Sequence, residues 1–97
     1  MKLDIFNDLR KEVQEIENGP YGRPYASAHE FMGVLFEEVD EMWDEVKKHE
    51  KDYDLEAQYK EGIQCMAVIY RYLRQVTSEQ KQVSAHCHLK GFGFYGF

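Results

Sequence analysis

The feature that most constrains this chain is a run of acids set into an amphipathic helix, Glu37-Glu38-Val39-Asp40-Glu41-Met42-Trp43-Asp44-Glu45. The stretch from Ser27 to His49 has no proline and a single glycine, and it reads as one long helix. Stepping at about 100° per residue from Phe31 brings Val34, Leu35, Met42 and Val46 within roughly 60° of Phe31. Glu38 and Glu45 fall inside that apolar stripe and Glu41 at its edge, whereas Glu37, Asp40 and Asp44 point elsewhere. A carboxylate turned toward a core is costly unless something pairs with it. Acids spaced three and four apart on one face also repel one another, and a divalent cation removes that repulsion. Most acid runs on helices are merely solvated faces. The inward position of Glu38 and Glu45 sets this one apart.

The rest of the chain organises around that helix. Ile5, Phe6, Leu9, Val13 and Ile16 recur at helical spacing, which predicts a first helix over about 3–17, ended by the breakers Asn18-Gly19-Pro20-Tyr21-Gly22-Arg23-Pro24. Ser27 suits the N-cap of helix two, with Glu30 as its capping-box partner. Lys47-Lys48-His49 suit its C-terminus. Asp54 suits the cap of a third helix from Leu55 to about Val76. Ser78 to His86 reads as a possible short fourth helix, and residues 89–97 form a tail alternating glycine with aromatics. The expectation is an all-α fold: one domain over residues 1–97, with an antiparallel bundle spanning about 3–86.

Helix three is apolar over more than half its circumference, through Ile63, Cys65, Met66, Ala67, Val68, Ile69, Tyr70, Tyr72 and Leu73. Two neighbouring helices cannot cover so broad a surface, so self-association through Met66, Ile69, Tyr70 and Leu73 is expected. Glu61 lies inside that apolar arc, with Gln64 one turn on at its edge.

The net charge of -6 argues against nucleic acid as the main partner. A nucleotide stays admissible, because a metal ion reverses the local sign at a phosphate site. No stretch reaches the length of a membrane span and no signal peptide opens the chain, which implies a cytoplasmic protein with no membrane partner. Two cysteines are too few for a disulfide framework. His86-Cys87-His88 lacks a second ligand pair at zinc spacing.

A helix bearing EExxE, followed by a connection and a helix bearing ExxD or a variant, resembles the MazG-like all-α nucleoside triphosphate pyrophosphohydrolases. The first motif here is Glu37-Glu38-Val39-Asp40-Glu41 and the second is Glu61-Gly62-Ile63-Gln64. The stretch His29 to Lys47 looks most like the small phage- and mobile-element-type members, and the resemblance covers roughly residues 3–76. It implies Mg²⁺-dependent cleavage of a nucleoside triphosphate to the monophosphate and pyrophosphate by a homodimer or homotetramer, with Mn²⁺ as a substitute metal. Glu38, Glu41 and Glu61 would be metal ligands, and Glu37 would assist as a ligand or water-orienting base. Gln64 stands where that family usually carries Asp, and Glu45 is a candidate to supply the missing charge. Lys48, Arg71 or Arg74 could touch phosphates. Trp43, with other aromatics, could read the base, though solvated-surface or core roles are commoner for each of these. The rival expectations are a helical module of the same fold with weakened or lost activity, and a helical metal-binding protein with no nucleotide chemistry.

Overall fold

The computed structural model describes residues 4–87, with side chains described through residue 78. Its regular elements are α1 (Ile5–Glu17), α2 (Ala28–Val46), a single 3₁₀ turn over Glu50–Asp52, and α3 (Leu55–Cys87). All the regular structure among the described residues is thus helical.

The helix starts follow from side chains that satisfy otherwise orphaned backbone donors. Asp4 Oδ1 accepts from the Asn7 N–H at 3.1 Å, Ser27 Oγ from the Glu30 N–H at 3.0 Å, and Asp54 Oδ1 from the Ala57 N–H at 3.1 Å. The expected capping box at α2 is displaced by one residue. The Glu30 carboxylate reaches back to the Ala26 N–H at 2.7 Å and also takes both terminal nitrogens of Arg23, at 3.0 and 2.8 Å. The 3₁₀ turn was not expected in the polar connection.

The segment expected as a separate fourth helix lies inside α3, which runs unbroken to Cys87. Ser78 has no glycine or proline near it to end the helix. Just before it, the Thr77 hydroxyl bonds back to the Leu73 carbonyl at 2.7 Å, a bond helices tolerate. The glycine-aromatic tail lies outside the described residues.

The central helix is α3, with α1 on one flank and α2 on the other. Between α2 and α3, Phe31 stacks on Tyr72 with ring centroids 4.0 Å apart and planes 6° from parallel. Tyr25 meets both rings edge-on, and Val68 completes this buried centre, with Val34 and Leu35 against it. Between α1 and α3, Val13 is buried on α1, while Ile63 and Ala67 are buried on the side of α3 that helical geometry turns toward α1. Tyr59 donates its hydroxyl to Asp8 at 2.6 Å, and that bond, aided by burial, pushes the phenol up to about 12.

The connection between α1 and α2 is tied to α3 by two polar side chains. Gln75 accepts from the Tyr25 N–H and donates to the Tyr25 carbonyl, both at 2.9 Å, replacing the sheet or helix partners this backbone lacks. Arg71 is buried, 7% exposed, and donates to the carbonyls of Gly22 and Arg23, the Tyr25 hydroxyl and the Glu17 carboxylate. Arg74 adds a second ion pair to Glu17.

Candidate functional site

Pairing α2 antiparallel to α3 brings the two acidic motifs to one level. The Phe31–Tyr72 stack fixes the register at one end. At the other end, the Cβ position of Gly62 lies 3.5 Å from Met42 Cε. Next to this second contact, Glu38 and Glu41 on α2 face Glu61 on α3. One carboxylate oxygen from each of the three lies within 4.8 Å of the others. Glu38 and Glu61 are half-buried and Glu41 is exposed, the order expected from their angular positions.

Gln64 joins the cluster. With its amide nitrogen turned toward the acids, it donates to Glu38 Oε1 at 3.1 Å and to Glu61 Oε1 at 3.0 Å. A neutral donor thereby holds two carboxylates together in the metal-free protein. To act as a ligand, the same amide would turn over and present its oxygen.

The electrostatics are those of a crowded acidic site. Burial raises the Glu38 carboxyl above its ordinary range, and repulsion from Glu41, Glu61, Glu12 and Glu37 raises it further. Burial likewise raises Glu61, followed by the effect of Glu41. Cys65, beneath the cluster on α3, is raised by burial and by the same acids.

Beside the cluster, and sharing Glu38 and Gln64 with it, lies a cavity of about 430 Å³. Its floor is Gln64, Val68 and Arg71 of α3. Its walls are Glu12 and Ile16 of α1 and Val34, Glu37 and Glu38 of α2, and the tethered connection closes one end through Tyr21, Arg23 and Tyr25. The volume suits a small organic ligand.

The other expected residues are distributed as follows. Glu37 is exposed on the cavity wall. Glu45 is outside the three-acid group, and its carboxylate accepts from Lys48 Nζ at 2.8 Å. It still raises Glu61 through space, and Lys48 is raised by the bond to Glu45. Arg71 lines the cavity, but its guanidinium is bound up in tethering the α1–α2 connection. Arg74 pairs with Glu17 and lies over the Tyr70 ring, 5.3 Å from its centroid, on the α1 side of α3. Trp43 is exposed on a different face of α2 from the acids.

One acid at the site was missed. Glu12 of α1 reaches the cavity, where burial and Glu15 raise its carboxyl while Lys60 pulls it back. Its sequence signal was its place four residues before Ile16, on the flank of the α1 apolar stripe.

In comparisons with known proteins, no family model, curated protein or solved structure matches this chain.

Proposed function

We propose that the protein is a Mg²⁺-dependent nucleoside triphosphate pyrophosphohydrolase, releasing the monophosphate and pyrophosphate. The observation that carries this reading is the convergence of Glu38, Glu41 and Glu61 from two helices beside a ligand-sized cavity. The donor set fits the metal, since Mg²⁺ is a hard cation that takes oxygen ligands and retains several waters. Glu38, Glu41 and Glu61 would hold it, with the Gln64 carbonyl oxygen as a neutral fourth donor. Once bound, the ion supplies charge neutralisation for a triphosphate and activation of water for attack at phosphorus.

The chain's own residues supply the remaining functions. Glu37, exposed on the cavity wall, orients water. The apolar surfaces of Ile16, Val34 and Val68 accept a nucleoside and exclude solvent from it. The Arg71 and Gln75 tethers fix the wall against which it packs. Such an enzyme adjusts or cleans a nucleotide pool, and it works as a homodimer or homotetramer.

One observation favours a second reading. Gln64 already satisfies Glu38 and Glu61 without metal, as a retired site would. A panel of ordinary and modified (d)NTPs with Mg²⁺, with products resolved by chromatography, separates the two. The hydrolase reading expects monophosphate plus pyrophosphate from at least one substrate, with turnover lost in Glu38→Ala and Glu61→Ala. Absence of turnover across the panel, or diphosphate plus phosphate as products, overturns it.

A further inference from the structure

The cavity is built in two levels. Helix α1 runs parallel to α3, since Asp8 is bonded to Tyr59 near one end and Glu17 to Arg71 near the other. Helix α2 runs antiparallel to α3, in the register set by Phe31–Tyr72 and Met42–Gly62. Interpolating between these contacts sets Glu12 and Glu38 about level with Gln64, and Ile16 and Val34 about level with Val68. Each helix therefore gives the cavity one polar residue and, four residues away, one apolar residue. The two levels are about 6 Å apart along the axis. Tyr25 lies beyond the apolar level, where the tethered connection closes the cavity. Glu41 and Glu61 extend the acid cluster in the other direction.

Most polar groups of the cavity are already engaged. Arg71 holds the α1–α2 connection. Arg23 holds both oxygens of Glu30. Gln64 donates to Glu38 and Glu61. Glu37 is exposed on the wall. Glu12 is half-buried, and no donor among the described residues hydrogen-bonds to it. Burial raises its carboxyl, and through space it raises Glu38 on the facing wall. Glu12 is thus the unclaimed acceptor at the polar level. A ligand that fills the cavity has to bring hydrogen-bond donors to that point, because a half-buried carboxylate that loses its water needs replacements.

We infer that Glu12 reads the sugar of the substrate, accepting hydrogen bonds from the 2′- and 3′-hydroxyls of a ribose, so that the site selects ribonucleotides over deoxyribonucleotides. The inference rests on the hydrolase reading, which puts the phosphates at Glu38, Glu41 and Glu61 and the base among Ile16, Val34 and Val68. In a nucleotide the sugar joins those two parts, and Glu12 sits where they meet. A phosphate at that point would be repelled by the carboxylate. A ribose offers it two adjacent hydroxyl donors, and the carboxylate has two oxygens to accept them. Acidic side chains hold ribose hydroxyls in this way in dinucleotide-binding folds. A 2′-deoxyribose leaves one of the two oxygens without a donor in a place it shares with little water. Discrimination by a missing hydroxyl is strong when the site was built to bond it.

The test pairs each ribonucleoside triphosphate with its 2′-deoxy form and measures kcat/KM with Mg²⁺ on the full chain. For the base the enzyme accepts best, the ribose form should be favoured about tenfold or more. Glu12→Ala should bring that ratio close to one, and Glu12→Gln, which keeps one acceptor oxygen, should fall between. Loss of a merely structural residue would lower both substrates alike and leave the ratio unchanged. The same pairs of monophosphates, titrated calorimetrically with Mg²⁺, read the sugar preference without turnover. Turnover with equal or better use of the deoxy form overturns the inference and leaves the hydrolase reading standing. A ribose preference that survives in Glu12→Ala also overturns it. Ribose-selective monophosphate binding that Glu12→Ala abolishes, with no triphosphate hydrolysed, supports the role of Glu12 and defeats the hydrolase reading. Neither turnover nor binding defeats both. The wild-type ratio needs no substitution, so it decides even if a variant fails to fold.

Discussion

Glu38→Gln should change stability in opposite directions with and without metal. In the metal-free protein the ionised Glu38 faces two other carboxylates with oxygens within 4.8 Å. At that separation each like-charge pair costs about 1–3.5 kcal/mol for effective dielectric constants of 80 to 20. Glu41 is exposed and salt screens it, so the net relief from removing one charge is about 1 kcal/mol. Glutamine at 38 is nearly isosteric and keeps an oxygen to accept from Gln64, so little packing is lost. For a chain of this length, that relief should raise Tm by about 4–8 °C.

With metal the order reverses. A ligand at a hundred times its Kd stabilises the state that binds it by about 2.7 kcal/mol. For the wild type this corresponds to a rise of about 10–20 °C in saturating Mg²⁺. Glu38→Gln removes a charged ligand and should show little or none of that rise, so the two melting curves should cross in order as Mg²⁺ is titrated. Differential scanning calorimetry in EDTA and then in Mg²⁺ measures both effects on the same samples. If the variant melts below wild type in EDTA, or keeps the full Mg²⁺ shift, the three acids are not a mutually repelling metal cluster and the argument from their convergence fails.

Gln64→Asp exchanges the bridging donor for a fourth charge. It should lower the metal-free Tm, tighten Mg²⁺ by calorimetric titration and preserve or raise turnover; an inactive wild type alongside an active Gln64→Asp would establish the retired-enzyme reading. Arg71→Leu takes away the donor to the Gly22 and Arg23 carbonyls, and it should cost about 1–3 kcal/mol in urea unfolding. The pH dependence has a definite sign. Glu38, Glu61 and Glu12 bind protons more tightly folded than unfolded, so the metal-free protein should gain stability as pH falls from neutral toward the ordinary carboxyl value of 4.5, measured as Tm against pH in EDTA. Glu30, held low by Arg23, acts the other way, but only below that value. Lys48→Ala breaks only an exposed bond to Glu45 and should leave both Tm and any turnover nearly unchanged.

Much of this architecture was legible because it is local. Ser27 and Asp54 cap helices since each can reach a backbone donor three residues on, and that reach is written in the spacing. The inward direction of Glu38 follows from the helical period alone, and its facing of Glu61 follows once two helices joined by a short connection are set antiparallel. Glu12 was only partly legible: the helical period sets it on the flank of the α1 stripe, but its reach into the cavity depends on how α1 leans across α3, which no periodicity encodes. Arg71 was misleading for a similar reason. An arginine on the polar strip of a helix looks solvated until the α1–α2 connection is known to fold back over it. The end of helix three was misplaced because Ser78 reads as a cap, although nothing near it breaks the helix.

The outward stripe of α2 shows a different limit. Phe31, Val34, Leu35 and Met42 account for one apolar face, and a helix with one such face needs nothing more for a monomer. Met32, Phe36, Val39 and Trp43 form a second face about a quarter-turn away. On a helix wheel the two merge into one broad apolar arc, interrupted only by acids on its far side. Only the placement of α3 divides that arc into a half that packs and a half that does not. The same placement separates two demands on α2. The acids and cavity lie on one side of the α2–α3 layer and the charge-free face on the other. Phe36→Glu can therefore probe the exposed face without altering a metal ligand, and Glu38→Gln can test metal binding without altering that face. If Phe36→Glu gave a folded protein that had lost its Mg²⁺-dependent stabilisation, that separation would be wrong, and the exposed face and the acids would act as one site.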